Sequence, residues 1–156
     1  MKMKVYLDNC SFNRPFDDQS QIRIYLETQA KLYIQKLIQD GSLLLAFSYI
    51  SRYENWNSPH LNNKITIDKF FDNAKTFIDI DKADIIESKA DKIMKCGVKA
   101  KDALHISCAI EASCDYFITT DDGILRKYIN DEIKACSPIE FINIWEDFLC
   151  KTQQQL

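Results

Sequence analysis

Short apolar runs alternate along this chain with longer stretches whose apolar residues recur every three or four positions. That alternation restricts the fold more than any other feature. The runs fall at residues 4–7, 43–48, 76–80, 116–120 and 133–136, each too brief for a helix and read as a strand. Helical patterns lie between them at about 21–40, 49–57, 65–75, 82–96, 100–113 and 123–129, and a last one begins at Pro138. In the first, Ile22, Leu26, Ala30, Tyr33, Ile34, Leu37 and Ile38 form one stripe. The 100–113 pattern is apolar nearly all round, which places that helix in the core. Pro15 and its Asn/Asp neighbours mark residues 11–18 as a loop, and Ser58-Pro59-His60 as a break. Strands alternating with amphipathic helices predict a parallel α/β sheet. At 156 residues and 46% hydrophobic content, the chain suits one domain. Residues 1–150 are expected to form it, with the polar residues 151–156 as a frayed tail.

Net charge is −3, so bulk charge does not predict a nucleic-acid partner. A polyanion would need a local basic stripe or bridging cations. Cys10, Cys96, Cys108, Cys114, Cys136 and Cys150 form neither a CxxC pair nor a zinc spacing. They read mostly as buried, reduced thiols of a cytosolic protein. The start does not resemble a secretion signal, and no apolar run reaches membrane-spanning length, so a cytoplasmic location without membrane contact is expected.

Four acids stand out by position. Asp8 ends the first apolar run and Asp121 the fourth, with Asp122 beside it. The carboxyl ends of parallel strands share one edge, so Asp8 and Asp121 meet there if their strands are neighbours. Asp102 sits in the first turn of the apolar helix, where the helix dipole favours a carboxylate. Glu54 lies in the helix after the second run. Each has an ordinary alternative: a helix cap for Asp121 or Asp122, a dipole acid for Asp102, a surface ion pair with Arg52 or a lysine for Glu54. Gathered together they would repel one another unless a cation joined them. Hard divalent ions such as Mg²⁺ or Mn²⁺ prefer oxygen ligands. Two such ions roughly 4 Å apart activate water and stabilise an oxygen leaving phosphorus.

The surroundings of these acids resemble the PIN-domain family of nucleases. The resemblance rests on Val5 through Asp18, on the helix start from Ser48 to Glu54, on Lys101-Asp102-Ala103-Leu104-His105-Ile106-Ser107-Cys108-Ala109 and on Tyr116-Phe117-Ile118-Thr119-Thr120-Asp121-Asp122. A weaker block is Ser137-Pro138-Ile139-Glu140-Phe141-Ile142. Together they span almost the whole chain in the family's order. The resemblance implies a three-layer α/β/α fold with a parallel sheet of about five strands in the order 3-2-1-4-5. It also implies a Mg²⁺- or Mn²⁺-dependent ribonuclease, with RNA as substrate and in-line attack by a metal-bound water. The family's acids map onto Asp8, Glu54, Asp102 and Asp121. Asp8, Asp102 and Asp121 would hold metal, while Glu54 would hold metal or orient the water. Many bacterial members are VapC-type toxins, inhibited by a small antitoxin protein, and many are homodimers. The rival from another class is a catalytically silent PIN-like module for binding or dimerisation.

One departure concerns Cys10, which stands where many members carry Ser or Thr two residues after the first Asp. Cys is a poor ligand for Mg²⁺, so Ser11 or water takes over or activity is weak. Asp121 is preferred to Asp122 because it directly follows Thr119-Thr120. His105 shares a helix face with Asp102 and reads as a core residue or an orienting partner of an acid. Asn13 and Arg14 read as phosphate contacts or loop anchors, Lys99 and Lys101 as steering charges or surface lysines. Tyr49, Tyr53 and Trp56 read as packing residues or stacking platforms for bases.

Overall fold

The computed structural model describes residues 2–155. Five strands, β1 (Lys4–Leu7), β2 (Leu44–Ser48), β3 (Thr76–Ile78), β4 (Tyr116–Ile118) and β5 (Lys134–Cys136), pair in parallel throughout, in the order β3-β2-β1-β4-β5. Eight α-helices connect and follow them: α1 (Asn9–Asn13), α2 (Ile22–Gln39), α3 (Tyr49–Trp56), α4 (Leu61–Phe70), α5 (Ala83–Met94), α6 (Ala100–Glu111), α7 (Asp122–Lys127) and α8 (Pro138–Gln154). The expected strand order is therefore present.

The strand pleat divides the core into two. Val5, Leu7, Leu45, Phe47 and Ile118 pack with Ile34 and Leu37 of α2 and with Phe141 and Trp145 of α8. Tyr6, Ala46 and Phe117 face the other way, onto Ile86 of α5 and Ile106 and Ala109 of α6. With both faces covered, the central strands read as continuous apolar runs.

Several elements differ from the sequence reading. Residues 9–16 are not a loop: α1 is followed by a 3₁₀ turn at Arg14–Phe16. The Asp8 carboxylate caps α1 by accepting from Ser11 N at 2.9 Å, and Pro15 fits a helix start, where its missing N–H is not needed. Helix α4 begins at Leu61 rather than 65, because its first turn is polar and solvent-facing and carries no apolar stripe. It is tied to α3 by Asn55, whose amide donates to the Lys64 carbonyl at 2.9 Å. Helix α8 runs through residues 151–154, exposed but helical. Cys108, Cys114 and Cys136 are buried free thiols, but Cys10, Cys96 and Cys150 are exposed, since helix ends and turns carry them out of the core.

A buried polar network fastens the centre of the sheet to two helices. The Tyr6 hydroxyl lies 2.7 Å from Ser48 Oγ, 2.8 Å from Ser51 Oγ and 2.6 Å from His105 Nδ1. A phenol has one donor and two acceptor positions. The arrangement that satisfies every group has Tyr6 donating to Nδ1 and accepting from both serines. His105 then carries its N–H on Nε2. Ser48 also caps α3 through a reciprocal box with Ser51. Replacing Tyr6 by Phe leaves His105 Nδ1 without its partner and takes one hydrogen bond from each serine, which keep their contacts with each other. It should lower unfolding free energy by about 2–3 kcal/mol, read by urea denaturation; a loss below about 0.5 kcal/mol would show that the network contributes little.

Candidate active site at the carboxyl edge of the sheet

The β1–β4 register sets the site. Leu7 pairs with Ile118, so the residues that follow each strand stand side by side. Thr119 Oγ1 donates to Asp8 Oδ2 at 2.5 Å while Ser11 N donates to Oδ1. Asp8 is buried, and that desolvation raises its pKa against the lowering by these donors. Asp121 caps α7, its Oδ1 accepting from Gly123 N at 2.7 Å, and its own N–H donates to Thr119 Oγ1 at 3.0 Å. Thr119 thus links two of the expected acids, a part that its plain strand-end position did not reveal.

Asp102 stands half-buried in the first turn of α6, with no hydrogen-bond or ion-pair partner among the described residues. Burial raises its pKa first, then the charges of Asp121 and Glu54, while His105 and Lys99 pull it down. Glu54 is not on a solvated face. Its side chain is only 8% exposed, with Oε1 3.0 Å from His105 Nε2 and 3.9 Å from Lys101 Nζ. The imidazole N–H is poorly aligned with that oxygen, and both atoms are buried without a hydrogen bond. His105 therefore faces Glu54 and Tyr6, not a surface acid.

Two cavities open along this edge and Asp121 lines both. The larger, about 1150 Å³, is bordered by Cys10, Glu54, Thr120 and Asp121, with Tyr53 and His60 among its walls. The smaller, about 240 Å³, holds Asp102 and Asp121 together with Lys99, Arg126 and Lys127. Asp8 lies behind them and lines neither. Cys10 reports the combined field: burial and then Asp8, Asp121, Asp102 and Glu54 push its thiol up to about 12. All four acids thus act on one thiol, although among the described residues no three acid, histidine or cysteine side chains are gathered about one point.

Other expected residues have different partners. The Ser11 hydroxyl is buried and donates to the Ile118 carbonyl, so it does not replace the side chain expected at Cys10. Asn13 anchors its own helix through Asn9, and Arg14 pairs with Asp17 and Glu27. Asp122 is exposed and held by both terminal nitrogens of Arg23 at 2.6 Å, which lowers its pKa. Nothing in the sequence signalled that pairing, because 99 residues separate the two. Trp56 and Tyr53 are 73% and 65% exposed, so neither is core packing.

The donor set suits a hard cation. Mg²⁺ is commonly held by one or two carboxylates and completes its shell with water and substrate phosphate. The pair Asp102 and Asp121 meets that requirement without a three-residue cage. Glu54 and Thr120 border the adjoining cavity, with Glu54 Oε1 turned inward toward His105.

No protein-family model matches the sequence, and no curated protein matches it significantly. Among solved structures, a chain of VapBC2 from Rickettsia felis, crystallised bound to a DNA fragment from their promoter, is similar with a TM-score of 0.53 and 15% identity. The match covers 86% of this chain and 98% of that one. The likeness is one of fold, and with the strand order it makes this a three-layer α/β/α domain of PIN-like fold.

The raised pKa values fix a pH dependence. In chelator, the buried acids favour the folded state most below about pH 4, where folded and unfolded carboxyls are both protonated. That contribution is lost as pH climbs through their raised folded values. The melting temperature of Asp102→Asn should therefore exceed that of the unmodified protein by a margin that widens from pH 4.5 to 7.5. A margin independent of pH would count against acid crowding at this edge.

Proposed function

We propose that the chain is a divalent-metal-dependent ribonuclease, the toxin member of a toxin–antitoxin pair. The observation that carries this reading is the meeting of Asp102 and Asp121 in one cavity, with Glu54 on the wall of the next. Asp102 and Asp121 would hold Mg²⁺ or Mn²⁺ directly, with Glu54 and the field of buried Asp8 completing the negative charge. When bound, the ion lowers the pKa of a water and offsets charge building on the phosphate oxygens.

The protein's own groups do the rest. Thr119 fixes Asp8 and the backbone before Asp121, so the two acids cannot separate. Glu54, backed by His105, faces the larger cavity where an attacking water would be oriented. Cys10 stays a neutral thiol and adds no charge. The open larger cavity has room for nucleotides rather than a single small molecule, and exposed Tyr53 offers a base a stacking surface.

A small antitoxin protein and a second copy of the chain are the proposed partners. Exposed apolar residues on α2 (Ile22, Tyr25 and Leu26) and on α3 and α4 (Trp56 and Leu61) suit such contacts. The VapBC2 likeness supports this pairing. No described helix is long and apolar enough to cross a membrane.

The reading is tested with Mn²⁺ and a generic RNA. Cleavage should require the ion and fall by about 10²-fold or more in Asp102→Asn and Asp121→Asn. Mg²⁺ should also raise the melting temperature of the unmodified protein by mass action and leave Asp102→Asn nearly unmoved. If neither cleavage nor an ion-dependent shift is seen, the fold serves as a silent binding module instead.

A further inference from the structure

The cations of the larger cavity are already committed. Arg14 pairs with Asp17 and Glu27, and Arg23 spans Glu27 and Asp122. Lys101 lies 3.9 Å from Glu54. Among the described residues, Lys99, Arg126 and Lys127 make no ion pair. They come from two separate elements, Lys99 from the residue before α6 and the other two from the last turn of α7. All three line the 240 Å³ cavity. Gly97 belongs to the same wall, with the Lys127 side chain passing beside it. A Cβ there would meet Lys127 Cδ at 3.7 Å, and the φ of +91° disfavours any side chain.

A helix C-terminus favours basic residues by its dipole, which accounts for Arg126 and Lys127 taken alone. It does not account for Lys99, nor for three unpaired cations sharing a cavity with two acids that need positive charge. Those acids do not neutralise them within ion-pair distance, so the cavity keeps cationic donors for something else. At 240 Å³ it is smaller than the usual small-molecule site, and it suits a phosphate better than a nucleobase with its sugar.

We propose that this cavity seats a backbone phosphate of a single-stranded polynucleotide, beside the phosphodiester that lies over Asp121. Lys99, Arg126 and Lys127 are the binding residues. The strand runs from this basic cavity across the Asp121 ridge into the larger cleft, which fixes its path over the site. The proposal deepens the ribonuclease reading and rests on it. It also explains how an acidic chain holds a polyanion: the positive charge is local and, among the described residues, held in no ion pair.

The test is binding of a fluorescein-labelled 12-nucleotide RNA by anisotropy across a salt series, with Asp102→Asn in every protein so that the probe survives. Neutralising Lys99, Arg126 and Lys127 to Gln should weaken binding at least tenfold at low salt. It should also flatten the slope of log affinity against log salt by about 0.7, the contribution of one phosphate contact on a single strand. The equal charge change at Lys36, Lys69 and Lys151, exposed and outside both cavities, should alter neither. If the triple variant does not fold, Lys99→Gln and Lys127→Gln taken singly should each weaken binding at low salt, and together they should remove no more than about 0.7 of slope. Unchanged affinity and slope would overturn the subsite while leaving the ribonuclease reading to its own cleavage test. An unmodified site that neither binds nor cleaves RNA overturns both.

Discussion

The carboxylate of Asp8, enclosed between two parallel strands, is the constraint on which the site depends. Desolvating such a charge costs several kcal/mol, order of magnitude, while each hydrogen bond to it returns about 1.5–3 kcal/mol. Its two donors, Thr119 Oγ1 and Ser11 N, offset much of that cost but not all of it, and the pKa of Asp8 stays raised. The Ser11 bond is local to the start of α1, but the Thr119 bond exists only because Leu7 and Ile118 are in register. A slip of one residue would turn Thr119 to the opposite face and strand the charge. The register that builds the core is thus the register that places the acids.

From there, charge is divided between a paired periphery and an unpaired edge. Buried Glu27 collects Arg14 and Arg23, and Arg23 reaches on to Asp122. This chain of ion pairs joins α2 to the start of α7 and frames one wall of the larger cavity. It also gives two adjacent acids opposite fates. Asp122 is turned outward and neutralised; Asp121 caps the helix with one oxygen and lines both cavities. The charges of Asp121 and Glu54 then add to burial in raising the pKa of Asp102, and the four acids add to burial in raising that of Cys10. Surplus negative potential at a sheet edge is a standing demand for cations, which the protein meets only in part with Lys99 and Lys101.

Period-2 and period-3.6 patterns made the strands and most helices legible, because burial on two faces writes itself into apolar runs. The strand order came from the family resemblance rather than from the pattern itself. The first turn of α4 and the helix at 9–13 were not legible: one is solvent-exposed, and the other is nucleated by a capping carboxylate rather than by an apolar stripe. At the site, the four acids could be picked out by position, but their different situations could not. That Asp8 lies behind both cavities, that Glu54 faces His105, and that Arg23 takes Asp122 are facts of long-range packing. Lys99 was visible as a flanking lysine; Arg126 and Lys127 drew no notice because a helix end is an ordinary place for them.

The arrangement of the acids also bears on how a cation would be retained. A cage of three or more carboxylates binds an ion whether or not substrate is present. A pair such as Asp102 and Asp121 leaves most of the coordination shell to water and to phosphate oxygens. Retention is then coupled to the presence of a phosphodiester, and the binding energy is concentrated on the state in which charge develops on phosphorus. Between encounters, Asp102 keeps a raised proton affinity from burial and from the neighbouring charge of Asp121. The basic side chains that share their cavity would supply attraction for the polyanion at that stage, since they need no ion to be charged. Separating the two tasks, cationic side chains for capture and carboxylates for the reacting centre, is how a chain of net charge −3 can handle a polyanion without a basic surface.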